Sequence, residues 1–332
     1  MNRSSTGTVS LIMAMQQRLD PSKNLMPVQK SGKLARREAR EFYLFVLPWI
    51  IGLILFDFGP IVASFIIGLT DWTLLETPQF VGVQNYVEMF RDPLFFTALW
   101  NSAFYGFFSV GLGLIVSFSL AMLLNQKVLG MSVFRTIFYL PSVVSGIAVA
   151  LLWSNIFHPD FGLLNTMLSW IGIKGPGWLI SPAWSKPSLV LMSLWAAGGS
   201  MVIYLAGLQS VPTHLYEAAE IDGAGPWQKF KTVTIPMMSP VIFYNLIVGI
   251  IASLQNFVLV LIMTSGLSSQ PGGPANSTMM YGLYLYLNAF SYLRMGYASA
   301  LAWVLLIIII VITTVQFRLA RSWVFYEGEA KN

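Results

Sequence analysis

Glu217 to Pro240 reads EAAEIDGAGPWQKFKTVTIPMMSP and lies between two long apolar runs. Five charges fall inside it: Glu217, Glu220, Asp222, Lys229 and Lys231. The pattern predicts two short helices around a tight break. Pro212 and Thr213 suit the start of the first, with Thr213 as N-cap and acidic residues following. Ala218 and Ala219 leave one face nearly flat, so a helix or a groove can approach it closely. Gly223 suits the left-handed conformation that stops a helix, and Pro226 after Gly225 suits the first turn of the next. Pro236 and Pro240 are then expected to end the polar segment before the following apolar run.

The runs on either side set the class. The chain has 332 residues, 56% apolar and only 10% charged, where a soluble domain carries roughly 25% charge. A membrane-crossing helix needs about 20 apolar residues. Six stretches qualify: Phe42 to Leu69, Thr97 to Leu124, Val133 to Phe157, Ser188 to Leu208, Val241 to Met263, and Tyr297 to Phe317. The expectation is an all-α integral membrane protein with six transmembrane helices. Residues 1–41 read as a polar, solvated tail, with a basic segment near Lys33 to Arg40 suited to anionic lipid. Val9 to Met15 is too short to span, and no cleavage site follows it. Asp57 in the first run reads either as a functional intramembrane carboxylate or as a solvated one near the interface. A break at Gly59-Pro60 favours the second reading.

Lys and Arg in the loops set the orientation. With the N-terminus inside, fifteen basic residues fall on the inner side and four on the outer, those four being Arg91, Lys174, Lys186 and Arg294. Both termini and the Glu217 to Pro240 loop are therefore expected in the cytoplasm. The net charge of +5 then tracks one face of a membrane and gives no sign of a nucleic-acid partner. With no cysteine in the chain, thiol chemistry is excluded.

The polar loop resembles the EAA loop of binding-protein-dependent ABC importer permeases. Glu217-Ala218-Ala219, Asp222-Gly223-Ala224, Phe230, Pro236 and Pro240 all stand at the matching positions. Phe80-Val81-Gly82-Val83-Gln84-Asn85-Tyr86, Gly272-Gly273-Pro274 with Ser277-Thr278, and the Gly296 to Leu301 stretch extend the likeness from Tyr43 to Phe325. The chain looks most like the first permease subunit of carbohydrate importers of the maltose, glycerol-phosphate and oligosaccharide type. It lacks room for the large outer domain of the maltose subunit, since no outer loop exceeds about 30 residues. The resemblance implies the type I permease fold over residues 42–325 in the inner membrane, with residues 212–240 docked on an ATP-hydrolysing subunit through Glu217, Ala218, Ala219, Asp222, Gly223 and Ala224. It also implies a second, homologous permease subunit, two ATP-binding subunits that carry the ATP and magnesium, an extracytoplasmic solute-binding protein, and a carbohydrate moved by alternating access.

The residues themselves offer no catalysis. There is no phosphate-cradling G-x-x-x-x-G-K-[ST]. His158 and His214 fall on opposite sides of the predicted membrane and cannot share a metal. What the spans offer is a stripe of small and polar residues. Asn245, Gly249, Ala252 or Ser253, and Asn256 recur at helical spacing and share a face. Trp195 precedes Ala196-Ala197-Gly198-Gly199-Ser200, a locally loosened helix or a close helix contact; for Gly198 and Gly199 packing is at least as good a reading as ligand contact. The resembling maltose subunit takes its sugar contacts from these two spans, with an Asn where Asn256 stands. The expected substrate pathway is thus Trp195, Gly199, Ser200, Gly249, Ala252, Ser253, Gln255 and Asn256. An ion-coupled carrier or channel is the alternative, but it would need charges in several spans and only Asp57 is available.

Overall fold

Every apolar run becomes helix, but three of the six do so in two pieces. In the computed structural model the residues described are 32–126, 128–265 and 271–325. Most of the expected tail, including Val9 to Met15, lies outside them. In chain order the helices are α1 (Lys33–Gly52), α2 (Gly59–Ile67), α3 (Gln84–Met89), α4 (Pro93–Leu124), α5 (Met131–Val143), α6 (Gly146–Ile156), α7 (Leu163–Trp170), α8 (Pro182–Trp195), α9 (Gly198–Ser210), α10 (Thr213–Ile221), α11 (Pro226–Lys229), α12 (Ile235–Leu254), α13 (Val258–Ser265), α14 (Tyr281–Tyr286) and α15 (Met295–Ala320). One antiparallel ribbon, Thr70–Asp71 against Gln79–Phe80, is the one strand pairing among the described residues. Four helices are long and apolar enough to cross a membrane: Arg36–Ile67, Pro93–Leu124, Pro226–Leu254 and Met295–Ala320. The count rises to six if the bent pairs α5–α6 (96°) and α8–α9 (47°) are each one span.

The chain divides into two units, residues 1–63 and residues 64–332. In the first, α1 passes into a π-helical stretch, Leu53–Phe58, where the Gly59 N–H reaches back to the Ile54 carbonyl. The expected break at Gly59-Pro60 is absent. A proline removes one backbone donor, and the wider turn just before Pro60 accommodates it without ending the helix. Asp57 consequently stays within the helix, with its side chain exposed.

In the second unit α4 is the central element. The sequence Asp92-Pro93 starts it, since the Asp92 carboxylate caps the Leu94 N–H at 2.8 Å and Pro93 occupies the first turn. Toward its N-terminal end, Phe95, Ala98 and Tyr105 join a buried cluster with Met280, Tyr281 and Leu283. Toward its C-terminal end, Ala121 and Leu124 join a second cluster with Met201, Tyr204 and Met238. Between the two clusters the helix presents Ser109, Gly113 and Ser117, small residues that leave space. The fold hollows there.

Two sequence expectations change. The tyrosines of the stretch Tyr281 to Tyr292 suit a helix lying in the headgroup layer. Instead Tyr281, Leu283 and Tyr284 are buried within the protein, and the Tyr281 hydroxyl donates to the Leu301 carbonyl at 2.8 Å. Its apolar faces are large enough to form core once their hydroxyls find partners. The fifth run does not continue from Val241 to Met263. It stops at Leu254 and resumes at Val258, leaving Gln255, Asn256 and Phe257 outside any helix. Phe257 stacks on Tyr286 at 5.1 Å, a packing that anchors the break.

Candidate functional site

The loop from Thr213 to Pro240 forms a helical hairpin with a defined corner. Gly223 has φ +78°, its N–H donates to the Glu220 carbonyl at 3.0 Å, and the Ala224 N–H donates to the Ala219 carbonyl at 2.8 Å. These two bonds are the Schellman arrangement that closes α10. Pro226 opens α11 with Gly225 as N-cap. The N-cap of α10 is Pro212 rather than Thr213, with no side-chain capping bond. Pro212 has the extended backbone a cap requires, and Thr213 is already inside the helix.

Three contacts brace the hairpin. Tyr216 and Thr234 hydroxyls lie 3.0 Å apart, Lys229 donates to Glu220 at 2.8 Å, and Phe230 stacks under Trp227 while also meeting Phe118 of α4. The hydrogen bond from Lys229, with its charge, holds the exposed Glu220 carboxyl below its usual range. Pro236 and Pro240 do not end a segment, as the sequence had suggested. Helix runs on from Pro226 to Leu254 because a π-helical turn, Phe230–Thr234, precedes Pro236. The Ser239 hydroxyl then caps the Pro236 carbonyl that Pro240 leaves without a donor, at 2.7 Å. On the outside of the hairpin Glu217, Ala218, Asp222 and Gly223 are exposed and Ala219 and Ala224 half-exposed. Ile221 at 87% and Trp227 at 74% exposure are large apolar side chains left bare among charges.

The second feature is the hollow beside α4, a cavity of about 410 Å³, within the size range of small-molecule sites. Tyr105, Ser109 and Ser117 of α4, Ser193 and Ser200 at the α8–α9 bend, Asn245 and Ser253 of α12, and Asn256 just beyond it supply its polar wall. No charged side chain lines it. The Asn256 amide donates to the Tyr105 hydroxyl at 3.2 Å, fixing both at one end. Asn245 and Ser253 donate to carbonyls of their own helix, Val241 and Ile250, at 2.9 and 2.8 Å. Their oxygens remain as acceptors, so the wall suits a ligand rich in hydroxyls.

Of the predicted pathway residues, Ser200, Gly249, Ala252, Ser253 and Asn256 come together on this wall, whereas Trp195, Gly199 and Gln255 are not part of it. Trp195 meets Trp153 edge-on at 6.2 Å, and Gly199 faces Ser142. Gln255 is the exposed C-cap of α12. Gly198 packs against the α5 backbone, where a Cβ would lie 2.0 Å from the Phe138 carbonyl oxygen; the packing reading holds there. Sequence reasoning missed the α4 wall. Its signal was present as Tyr105, Ser109, Gly113 and Ser117, four residues apart on one helical face.

Residues 109–324 match the family of binding-protein-dependent transport system inner membrane components. The chain is 38% identical over 303 residues to the probable ABC transporter permease protein YesP of Bacillus subtilis, covering 90% of this chain and 96% of that protein. It is 36% identical to the lactose transport system permease protein LacF of Rhizobium radiobacter, covering 84% and 94%. Among solved structures, a bacterial ABC transporter involved in the import of the acidic polysaccharide alginate contains a chain that superposes with a TM-score of 0.75 at 26% identity, covering 88% of this chain and 99% of that one. The ion-coupled alternative falls with these matches. The hairpin, the helical membrane fold and near full-length likeness together mean that this chain belongs to the binding-protein-dependent inner membrane components, as a non-catalytic permease subunit of an ABC importer.

Proposed function

We propose that this subunit carries a carbohydrate into the cytoplasm, with residues 42–325 forming six spans, both termini in the cytoplasm, and residues 1–41 an appended tail. Fifteen inner against four outer basic residues support that orientation. Relatives named for lactose and arabinooligosaccharides support the substrate class. The observation that carries the proposal is the cavity, walled by hydroxyls and amides without a charge, where the bent fourth run and the interrupted fifth run meet α4. Breaks at such positions are where helical transporters place their ligands.

The Glu217 to Ala224 segment is the handle for an ATP-hydrolysing subunit. Glu217 is the polar anchor, Ala218 and Ala219 allow close approach, and Asp222-Gly223-Ala224 set the corner. A second permease subunit completes the pathway, and a solute-binding protein delivers the sugar from outside. Closure of the two ATP-binding subunits turns the hairpin, and α12 follows because the helix is continuous from Pro226 to Leu254. The far end of that lever is Leu254, two residues before Asn256. One motion thus joins the handle to the cavity.

Affinity purification of the full chain from its native membrane tests this reading. Two ATP-binding subunits and a second permease are expected to co-purify, and the reconstituted complex is expected to take up sugar only with ATP and the binding protein present. A chain that purifies alone and transports on an ion gradient contradicts it.

A further inference from the structure

An ammonium without a carboxylate sits one turn beyond the cavity. Lys186 of α8 is half-buried, and none of the three ion pairs among the described residues includes it. Its Nζ donates to the Asn101 Oδ1 at 3.0 Å and lies 5.1 Å from the centre of the Phe104 ring. Both neighbours belong to the stretch of α4 that leads into the cavity wall at Tyr105. On α8, Lys186 precedes the wall residue Ser193 by two helical turns and so shares its face. The other described basic residues of the outer segments differ. Arg294 is paired with Glu88, while Arg91 and Lys174 are exposed.

The position is also held. Asn101 is buried, and its amide nitrogen donates to the carbonyls of Asn276 and Met279 at 2.9 and 3.0 Å. That fixes the orientation of the amide and turns its oxygen toward Lys186. The ammonium has three donors and gives one to Asn101, and a ring face contributes only a diffuse cation–π attraction. Two donors remain for an anion. A half-buried ammonium with no carboxylate partner, at the approach to an uncharged cavity, is explained by a negatively charged ligand passing it.

We propose that Lys186 is a specificity-determining residue that favours carboxylated sugars, such as those bearing a uronate, over their neutral counterparts. This rests on the carbohydrate reading above. The test uses the complete reconstituted transporter with its binding protein and pairs of di- and trisaccharides that differ only in one C6, alcohol or carboxylate. The binding protein is the same throughout, so a change in the acid-to-neutral uptake ratio between variants belongs to the permease. The natural protein is expected to prefer the acidic member. Lys186→Gln is expected to lower the ratio on the order of tenfold, Lys186→Glu further, and Lys186→Arg to keep it. A ratio that stays the same in Lys186→Gln and Lys186→Glu, or a natural preference for the neutral members, overturns the inference and leaves the carbohydrate reading standing. Uptake of no member of any pair overturns the carbohydrate reading and this inference with it.

Discussion

Gly223→Val is expected to reduce ATP-driven uptake by more than about tenfold while the subunit still reaches the membrane and its ATP-binding partners still hydrolyse ATP. The argument is one of backbone conformation. Gly223 sits at φ +78°, where an ordinary L-residue costs roughly 1–2 kcal/mol and a β-branched one is a genuine outlier. No atom lies within 4 Å of the position a Cβ would take, so crowding plays no part. The substitution acts by undoing the two bonds that close α10, and with them the angle between α10 and α11. Gly223→Asn separates this cause from any other. Asparagine tolerates the left-handed region, fills the same open space, and is expected to retain most of the uptake. Paired assays of ATPase and uptake in proteoliposomes check both variants. Equal loss in the two would mean that the residue is needed for something other than its conformation.

Asn256→Ala is expected to raise the KM for uptake about tenfold, the equivalent of roughly 1.4 kcal/mol. The amide stands two residues beyond the end of α12, where its nitrogen meets the Tyr105 hydroxyl at 3.2 Å. Removing it takes away a hydroxyl-pairing group from the cavity and also frees the Tyr105 ring end. Tyr105→Phe is expected to have a smaller effect alone. The double variant is expected to cost less than the two separately, because each single change already breaks their shared contact. Transport kinetics with the cognate sugar would read this directly. Strict additivity would mean that the two residues act independently, and an unchanged KM in Asn256→Ala would remove Asn256 from the pathway.

Much of this arrangement was legible in the sequence, and the parts that were not share a cause. Gly223 and Pro226 marked the corner of the hairpin because each residue type imposes its own backbone preference locally. The apolar runs marked helices because length and composition suffice for that. Prolines misled where their effect depends on neighbours. Pro60 and Pro236 are absorbed by π-helical turns, and the carbonyl left by Pro240 is taken up by Ser239, none of which follows from the proline itself. Asn256 was legible as a polar residue on a helical stripe, but its place outside the helix depends on Phe257 finding Tyr286, a partner about 30 residues away. Trp195 was expected in the pathway as an aromatic before a loosened helix. The 47° bend between α8 and α9 accompanies a different placement, against Trp153. Bend angles arise from tertiary packing, such as Gly198 against the backbone of Phe138, and a single stretch of sequence does not carry them.

The measurement that bears most directly on the hairpin as a handle is a cross-link. The chain contains no cysteine, so Ala218→Cys introduces a single thiol on the exposed face of α10 without competition from any other in this subunit. In the assembled transporter a short thiol–amine cross-linker is expected to join it to the ATP-binding subunit, with a yield that changes when ATP closes those subunits. No adduct with an ATP-binding subunit, in a complex that still takes up sugar at the natural rate, would contradict the account.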